Sequence, residues 1–377
     1  MSIELVAVGD ISLGDSSQGV GEGVHSLFER FSAPSYPFEH TKPIVEGADI
    51  VFGNLETVLS HRGLARWDVS SMEMRGHPDG AMRLAQAGFN VLNVANNHTM
   101  QHGEHAFADT VAALRRYGVA VVGQATDDHL GCVPQVLHLQ DIKVTILGFA
   151  FEPDKYASRP LAYAFGPDCD LQGQIAAAKR DSDVVICSVH WGVEFVRHPS
   201  PTEEQLGRRL VDAGADLVLG HHPHVARRVE RYRRGVIAYS LGNFVFDMLW
   251  NPGLRTGLVL RVWLTRSGVE RYETELTWIG DDFQPEPLCG EDAERAHLAF
   301  EALQHPPDWT ASASEYARRY EELVARNRHE SYRQFLRNLG KRPVTYTLQT
   351  LLRTARRKTA RVLGRFIEAD AVRRRPA

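Results

Sequence analysis

The chain has 377 residues, 43% hydrophobic and 24% charged, with a formal net charge of −4. That is enough apolar material for one large globular domain, and the balance of charge argues against a globally basic nucleic-acid binder, so no nucleic-acid partner is expected. Four widely spaced cysteines (Cys132, Cys169, Cys187, Cys289) without a C-x-x-C pair argue against a disulfide framework or a zinc knuckle.

The N-terminus, Met1-Ser-Ile-Glu-Leu-Val-Ala-Val-Gly-Asp10, runs into a strand pattern with no basic leader and no long apolar stretch, which predicts neither signal peptide nor membrane span. Further short apolar runs follow at Asp49–Phe52, Phe89–Ala95, Val119–Val122, Lys143–Phe149, Val184–His190, Leu217–Gly220 and Val236–Ser240. Many are continuous rather than alternating, as in strands buried on both faces. Helical periodicity lies between them at Pro78–Ala87, Glu104–Tyr117, Leu171–Arg180 and Thr202–Ala213. After Phe244 the pattern changes. Thr256–Leu264 and Val269–Trp278 alternate around Arg266-Ser-Gly268, the signature of an antiparallel pair. The acidic, Pro-bearing stretch Asp281–Glu286 reads as a linker or loop. Residues 1–285 are therefore expected to form the main domain, and 286–377 a helical extension.

That extension ends in an amphipathic basic helix. Leu348, Leu351, Leu352, Ala355, Val362, Leu363 and Phe366 recur among arginines, and Arg353 to Ala377 holds nine Lys or Arg against two acids. The tail thus carries +7 and the rest of the chain −11. Either a surface helix packed on its own domain or a helix that docks on a membrane surface or a protein partner fits this pattern. The expected location is cytoplasmic, or peripheral at the membrane.

Polar residues gather where the strands end. Asp10 closes the first, Asn54 and Glu56 follow the second, and Asn96, Asn97 and His98 the third. His190 ends "VVICSVH", His221, His222 and His224 follow "ADLVLG", and Ser240 and Asn243 follow "VIAY". In a parallel α/β sheet the C-terminal strand ends face one crevice, so these residues should converge. Carboxylate, carboxamide and imidazole together are a ligand set for divalent Mn, Fe or Zn. Proline between His222 and His224 fixes the backbone that presents both rings.

The stretches "GDISLG", "GNLET", "ANNHTMQHG", "HWGVEF", "GADLVLGHHPHV" and "YSLGNFVFD" occur in the order and wording of the CapA-type capsule-synthesis proteins, which the sequence resembles from about residue 3 to 247. The resemblance implies a calcineurin-like metallophosphoesterase fold, an α/β/β/α sandwich of four layers, with one or two metal ions at the sheet edge. By position it implies Asp10, Glu56, Asn97, His190, His222 and His224 as metal ligands, Glu56 bridging, and His98 as general acid. Asn54 and His221 are second-choice members. Three departures stand out. Ser12 occupies the place of a superfamily histidine, Glu56 that of an aspartate, and Gln101 that of an aspartate following the Asn-Asn-His.

Arg75, in "EMRGHP", is a further candidate, as an anion clamp, because a guanidinium binds phosphate or carboxylate bidentately. Trp191 and Phe195 would wall the pocket or simply pack the core. The resemblance points to a metal-dependent hydrolase or transferase role in capsule or poly-γ-glutamate synthesis, with an anionic substrate, a phosphate ester or polyglutamate. A phosphoesterase acting on a nucleotide or sugar phosphate, and a non-catalytic subunit of a membrane-associated capsule complex, are the two alternatives.

Overall fold

The computed structural model describes residues 2–30, 33, 35–152, 159–308, 312–341 and 343–355. In chain order the strands are β1 (Ile3–Ile11), β2 (Ile50–Leu55), β3 (Val58–Leu59), β4 (Arg75–Gly76), β5 (Val91–Asn93), β6 (Ala120–Val122), β7 (Gln135–Leu139), β8 (Ile142–Ala150), β9 (Val184–His190), β10 (Leu217–His221), β11 (Val229–Tyr232), β12 (Gly235–Ala238), β13 (Asn243–Val245), β14 (Thr256–Thr265), β15 (Gly268–Ile279) and β16 (Pro285–Pro287). The helices are α1 (Val24–Arg30), α2 (Lys42–Val45), α3 (Val69–Met72), α4 (Gly80–Gln86), α5 (Glu104–Arg116), α6 (Leu171–Asp181), α7 (Pro201–Ala213), α8 (Pro252–Arg255), α9 (Gly290–Leu303) and α10 (Ala313–Arg337).

Two sheets carry the fold. One runs β16-β15-β14-β1-β2-β5-β6, with β13 also paired to β1; the other runs β11-β12-β10-β9-β8-β7. The continuous apolar strands are continuous because both faces are covered. On β1, Leu5 and Ala7 enter the core between the sheets, while Val6 and Val8 enter the core on the outer face. On β9, Val184 and Ile186 point between the sheets, and Val185, Cys187 and Val189 point outward. The first outer face is covered by Ala81 and Leu84 of α4 and Phe107, Val111 and Leu114 of α5. The second is covered by Ile175 of α6 and Leu210 and Val211 of α7. The four-layer α/β/β/α sandwich expected from the resemblance is what forms. Cys187 is buried in it, and burial pushes its thiol up.

Helix α7 starts at Pro201, one residue before the predicted Thr202. Ser200 caps it, accepting from the Glu203 N–H at 3.2 Å, while Glu203 returns a carboxylate oxygen to the Ser200 N–H at 2.8 Å. This reciprocal box satisfies donors that a helix N-terminus leaves open.

The predicted loop over Asp281–Glu286 is a partial miss. Pro285–Pro287 joins the first sheet as an edge strand on β15, with register Ile279↔Pro285 and Thr277↔Pro287. An edge strand needs hydrogen bonds on one side only, so its prolines are tolerated. Beyond it, Phe300 and Leu303 of α9 enter the core between the sheets. Along α10, the Tyr316 hydroxyl donates to the His198 carbonyl at 2.9 Å, and Asn327 accepts from Asn251 at 3.2 Å. Residues 344–355 are helical and lie against α3. The rest of the predicted basic helix, residues 356–377, lies outside the described residues. No helix among the described residues is long and apolar enough to cross a membrane.

Candidate metal centre

Sheet register places the strand-end residues side by side. Asp10 lies opposite Asn54 of β2 and opposite Asn243 of β13, and His190 lies opposite His221. Two glycines make the close approach possible. A Cβ on Gly9 would sit 2.0 Å from the Gly242 carbonyl oxygen, and one on Gly220 would sit 2.3 Å from that of Tyr239. Without these gaps the turn before β13 could not lie on β1, nor the end of β12 on β10.

The turn that follows β10 is strained. His222 and His224 have φ of 93° and 59°, on either side of Pro223. Non-glycine residues adopt such values only where the surroundings hold them. Here the His222 N–H donates to Asp10 Oδ2 at 3.2 Å and the Phe195 N–H to the Pro223 carbonyl at 2.8 Å. Phe195 itself lies 6.0 Å from the His224 ring, centroid to centroid, so it walls the turn. Trp191 instead belongs to the outer core, its indole N–H donating to the Tyr239 carbonyl at 3.0 Å.

Two overlapping groups of side chains result. The ligand atoms of Glu56, His222 and His224 lie within 4.8 Å of one another, and so do those of Asp10, Glu56 and His190. Glu56 is common to both, the placement of a bridging carboxylate. Asn97 joins the second group through Oδ1, 2.8 Å from His190 Nε2. His98 stands at the rim, its side chain 21% exposed and its Nε2 3.9 Å from Glu56 Oε1. Its other ring nitrogen faces Gln101 Oε1 at 2.8 Å.

A layer of carboxamides holds the candidate ligands in place. Asn54 shares its amide group between Asp10 Oδ1 (2.8 Å) and His190 Nδ1 (3.3 Å), while its own oxygen accepts from Asn93 at 2.9 Å. Asn243 gives its Nδ2 to the Leu254 carbonyl at 3.0 Å, which turns its Oδ1 onto His224 Nδ1 at 2.9 Å. His224 Nε2 is thereby aimed at Glu56 Oε1, 3.8 Å away. Orientation of a ligating imidazole by a partner on its second nitrogen is the usual arrangement around a bound metal.

The electrostatics call for a cation. Asp10 and Glu56 are both fully buried. Burial pushes the Asp10 carboxyl up, but His221 and His224 outweigh it and hold the group well below the usual range. Burial and then the Asp10 charge push Glu56 well above. Burial depresses His190 strongly and His222 to about 4, leaving both neutral, as ligands must be. Burial would depress His224 too, but Glu56 and Asp10 raise it to about 10. Both Glu56 oxygens and His222 Nδ1 are buried without a hydrogen-bond partner. Buried polar atoms are rarely left so. Their donor chemistry suits a divalent ion, and the residues present fit one.

Two expectations come out differently in kind. Arg75 is buried, and its guanidinium donates to the backbone carbonyls of Ser71 (2.7 Å), Ser60 (2.6 Å) and Arg62 (3.0 Å). It stitches the β3–β4 segment together, and among the described residues its hydrogen bonds go to these carbonyls rather than to the candidate ligand cluster. His221 lies 3.4 Å from Asp10 Oδ1 but belongs to neither ligand group. Sequence reasoning missed Glu194, in the loop after β9, whose charge acts on Glu56, His222 and His224. It lies four residues beyond a strand end, so the strand-end rule did not reach it.

A family profile described as bacterial capsule synthesis protein PGA_cap matches residues 4–248. The capsule biosynthesis protein CapA of Bacillus anthracis is 32% identical over 269 residues, 68% of this chain and 63% of that protein. The chain thus spans less than two thirds of that relative's length. The PGA biosynthesis protein CapA of Bacillus subtilis is 32% identical over 273 residues, 71% of this chain and 69% of that protein. Among solved structures, a putative 5'-nucleotidase from Staphylococcus aureus aligns over 80% of this chain and 58% of its own at 16% identity, with a TM-score of 0.45, too distant to bear on function. Both the length of the profile match and the identity to these relatives place the chain in one family: it belongs to the bacterial capsule synthesis proteins of the PGA_cap type.

Proposed function

We propose that this chain is a divalent-metal-dependent hydrolase or transferase acting on an anionic substrate in capsule or poly-γ-glutamate synthesis. The observation that carries the reading is Glu56, a fully buried carboxylate with both oxygens unpartnered, set between Asp10 and three imidazoles. Asp10, Asn97 and His190 would hold an ion on one side of Glu56, and His222 and His224 on the other. When bound, Mn, Fe or Zn supplies Lewis acidity to a substrate oxygen and to water.

The protein's own residues do the rest. His224 is held in orientation by Asn243, and Asp10 and His190 by Asn54, so the pocket is shaped in advance. His98, at the rim, keeps one ring nitrogen on Gln101 and presents the other to the pocket. From there it donates a proton to the departing oxygen or nitrogen of the substrate. Gln101 supports that ring as a neutral acceptor, where an aspartate would add a charge and make the imidazole a weaker acid.

The names of the Bacillus relatives favour a γ-glutamyl amide or its polymer over an unrelated phosphate ester. The test compares γ-glutamyl-p-nitroanilide with p-nitrophenyl phosphate, using purified chain and Mn. Turnover of the anilide that falls at least about 100-fold in His98→Ala supports the reading. Turnover of the phosphate alone would make the chain a phosphoesterase instead. Turnover of neither, together with unchanged polymer in a strain carrying His224→Ala, would leave a non-catalytic subunit.

A further inference from the structure

The helix over residues 344–355 is docked the wrong way round for a soluble protein. Its polar side faces the body. The Tyr346 hydroxyl donates to the Arg66 carbonyl at 2.7 Å. Gln349 accepts from the Val69 N–H at 3.0 Å and donates to the Trp67 carbonyl at 2.6 Å. Arg353 pairs with Glu73 at 2.5 Å, and Thr350 is buried. These positions follow the period of one helix face. The opposite face is apolar and open: Val344 is 73% exposed, Leu348 54%, Leu351 36% and Leu352 58%. Their spacing of four, three and one residues makes a single stripe. An amphipathic helix packed on its own domain buries that stripe and exposes its polar side. This one does the reverse, and it does so with four specific anchors rather than by default.

Charge says what the stripe is for. The sequence from Arg356 to Ala377 adds eight Lys or Arg against two acids, while the body of the chain is acidic. An exposed apolar stripe leading directly into a basic run matches the two attractions that hold a helix in the plane of an anionic lipid surface. A neutral protein surface would gain nothing from such an excess of positive charge. We propose that the 344–355 helix is an interfacial anchor for anionic membranes. The four bonds to the 66–73 segment would fix how the body, and with it the ligand cluster, is presented to the lipid.

The full chain is tested by flotation with vesicles of phosphatidylcholine alone, or of phosphatidylcholine mixed with phosphatidylglycerol. Binding to the anionic vesicles should exceed binding to the neutral ones by about tenfold or more and fall steeply with salt. Leu348→Asp/Leu352→Asp should lose most of it while keeping the wild-type melting curve. Three results would overturn the proposal. The chain could ignore both vesicles. It could bind equally well with the leucines replaced, so that charge alone acts. Or the double variant could melt lower or break up a dimer, showing that the chain's own residues or a second copy cover the stripe.

Discussion

Replacing Glu56 by glutamine should stabilise the metal-free chain and destabilise the metal-loaded one. The side chain is fully buried, with both oxygens unpartnered; the imidazole nitrogens facing Oε1 are His190 Nε2 at 3.7 Å, His224 Nε2 at 3.8 Å and His98 Nε2 at 3.9 Å. A buried polar group without a partner costs about 1–3 kcal/mol. Here Asp10 adds a like charge. In a chelator, Glu56→Gln replaces a buried carboxyl whose ionisation burial and Asp10 oppose with a group that is always neutral, at nearly constant volume, and should raise the melting temperature by a few degrees. Saturation with metal at a thousandfold excess over Kd would stabilise the wild type by about 4 kcal/mol. The variant lacks the residue shared by both ligand groups, and each tenfold loss of affinity removes about 1.4 kcal/mol of that gain. The order of the two melting curves should therefore invert between chelator and Mn. A wild type indifferent to metal, with a variant that melts lower in chelator, would refute the reasoning, because Glu56 would then be an ordinary structural acid.

Arg227→Met should cost about 3–5 kcal/mol in denaturant unfolding, because Arg227 is fully buried, pairs with Glu203, and holds the carbonyls of Val196 (2.7 Å) and Val193 (3.1 Å) over the His222–His224 turn; a loss under about 1 kcal/mol would mean the pair behaves as a solvated one. Burial, then the Arg75 charge, lowers the His102 imidazole from 6.5 to about 4. The unfolded chain takes up that proton first, so the stability it contributes is present above pH 6.5 and is lost as pH falls toward 4, by about 2 kcal/mol near pH 5. His102→Gln should flatten the acid side of the stability profile by that amount, and an unchanged profile would contradict it. Ending the chain after Lys341 removes the Tyr346, Gln349 and Arg353 anchors but none of the residues in the three large cores. The truncated chain should stay soluble and melt a few degrees lower; insolubility would show that the helix belongs to the core.

The layers and the converging strand ends were legible because they rest on strong local rules. A strand buried on both faces must be continuously apolar, and a polar residue that ends one must have a partner or a task. β1, β9 and β10 all follow this. Elements without such a pattern were lost. β7 has alternating half-exposed residues, β13 spans Asn243–Val245 alone, and β16 carries two prolines that read as a loop. The candidate ligands were readable, but parts of their support were not. Asn243 shares a strand end with many polar residues, and its role depends on the Leu254 carbonyl turning its amide. The fate of Arg75 was set by three carbonyls that no sequence pattern marks. The tail helix was recognisable as amphipathic. Which face turns inward depended on the Arg66 to Glu73 segment that meets it.

Metal content of the purified chain is the most direct measurement. After loading with Mn, Fe or Zn and removal of free ion, the wild type should retain about one to two ions per chain, and Asp10→Asn/Glu56→Gln should retain nearly none while still folding. A wild type that holds no ion with any of these metals would contradict the account, since the unpartnered carboxylate and imidazoles at the sheet edge would then need another reason to be there.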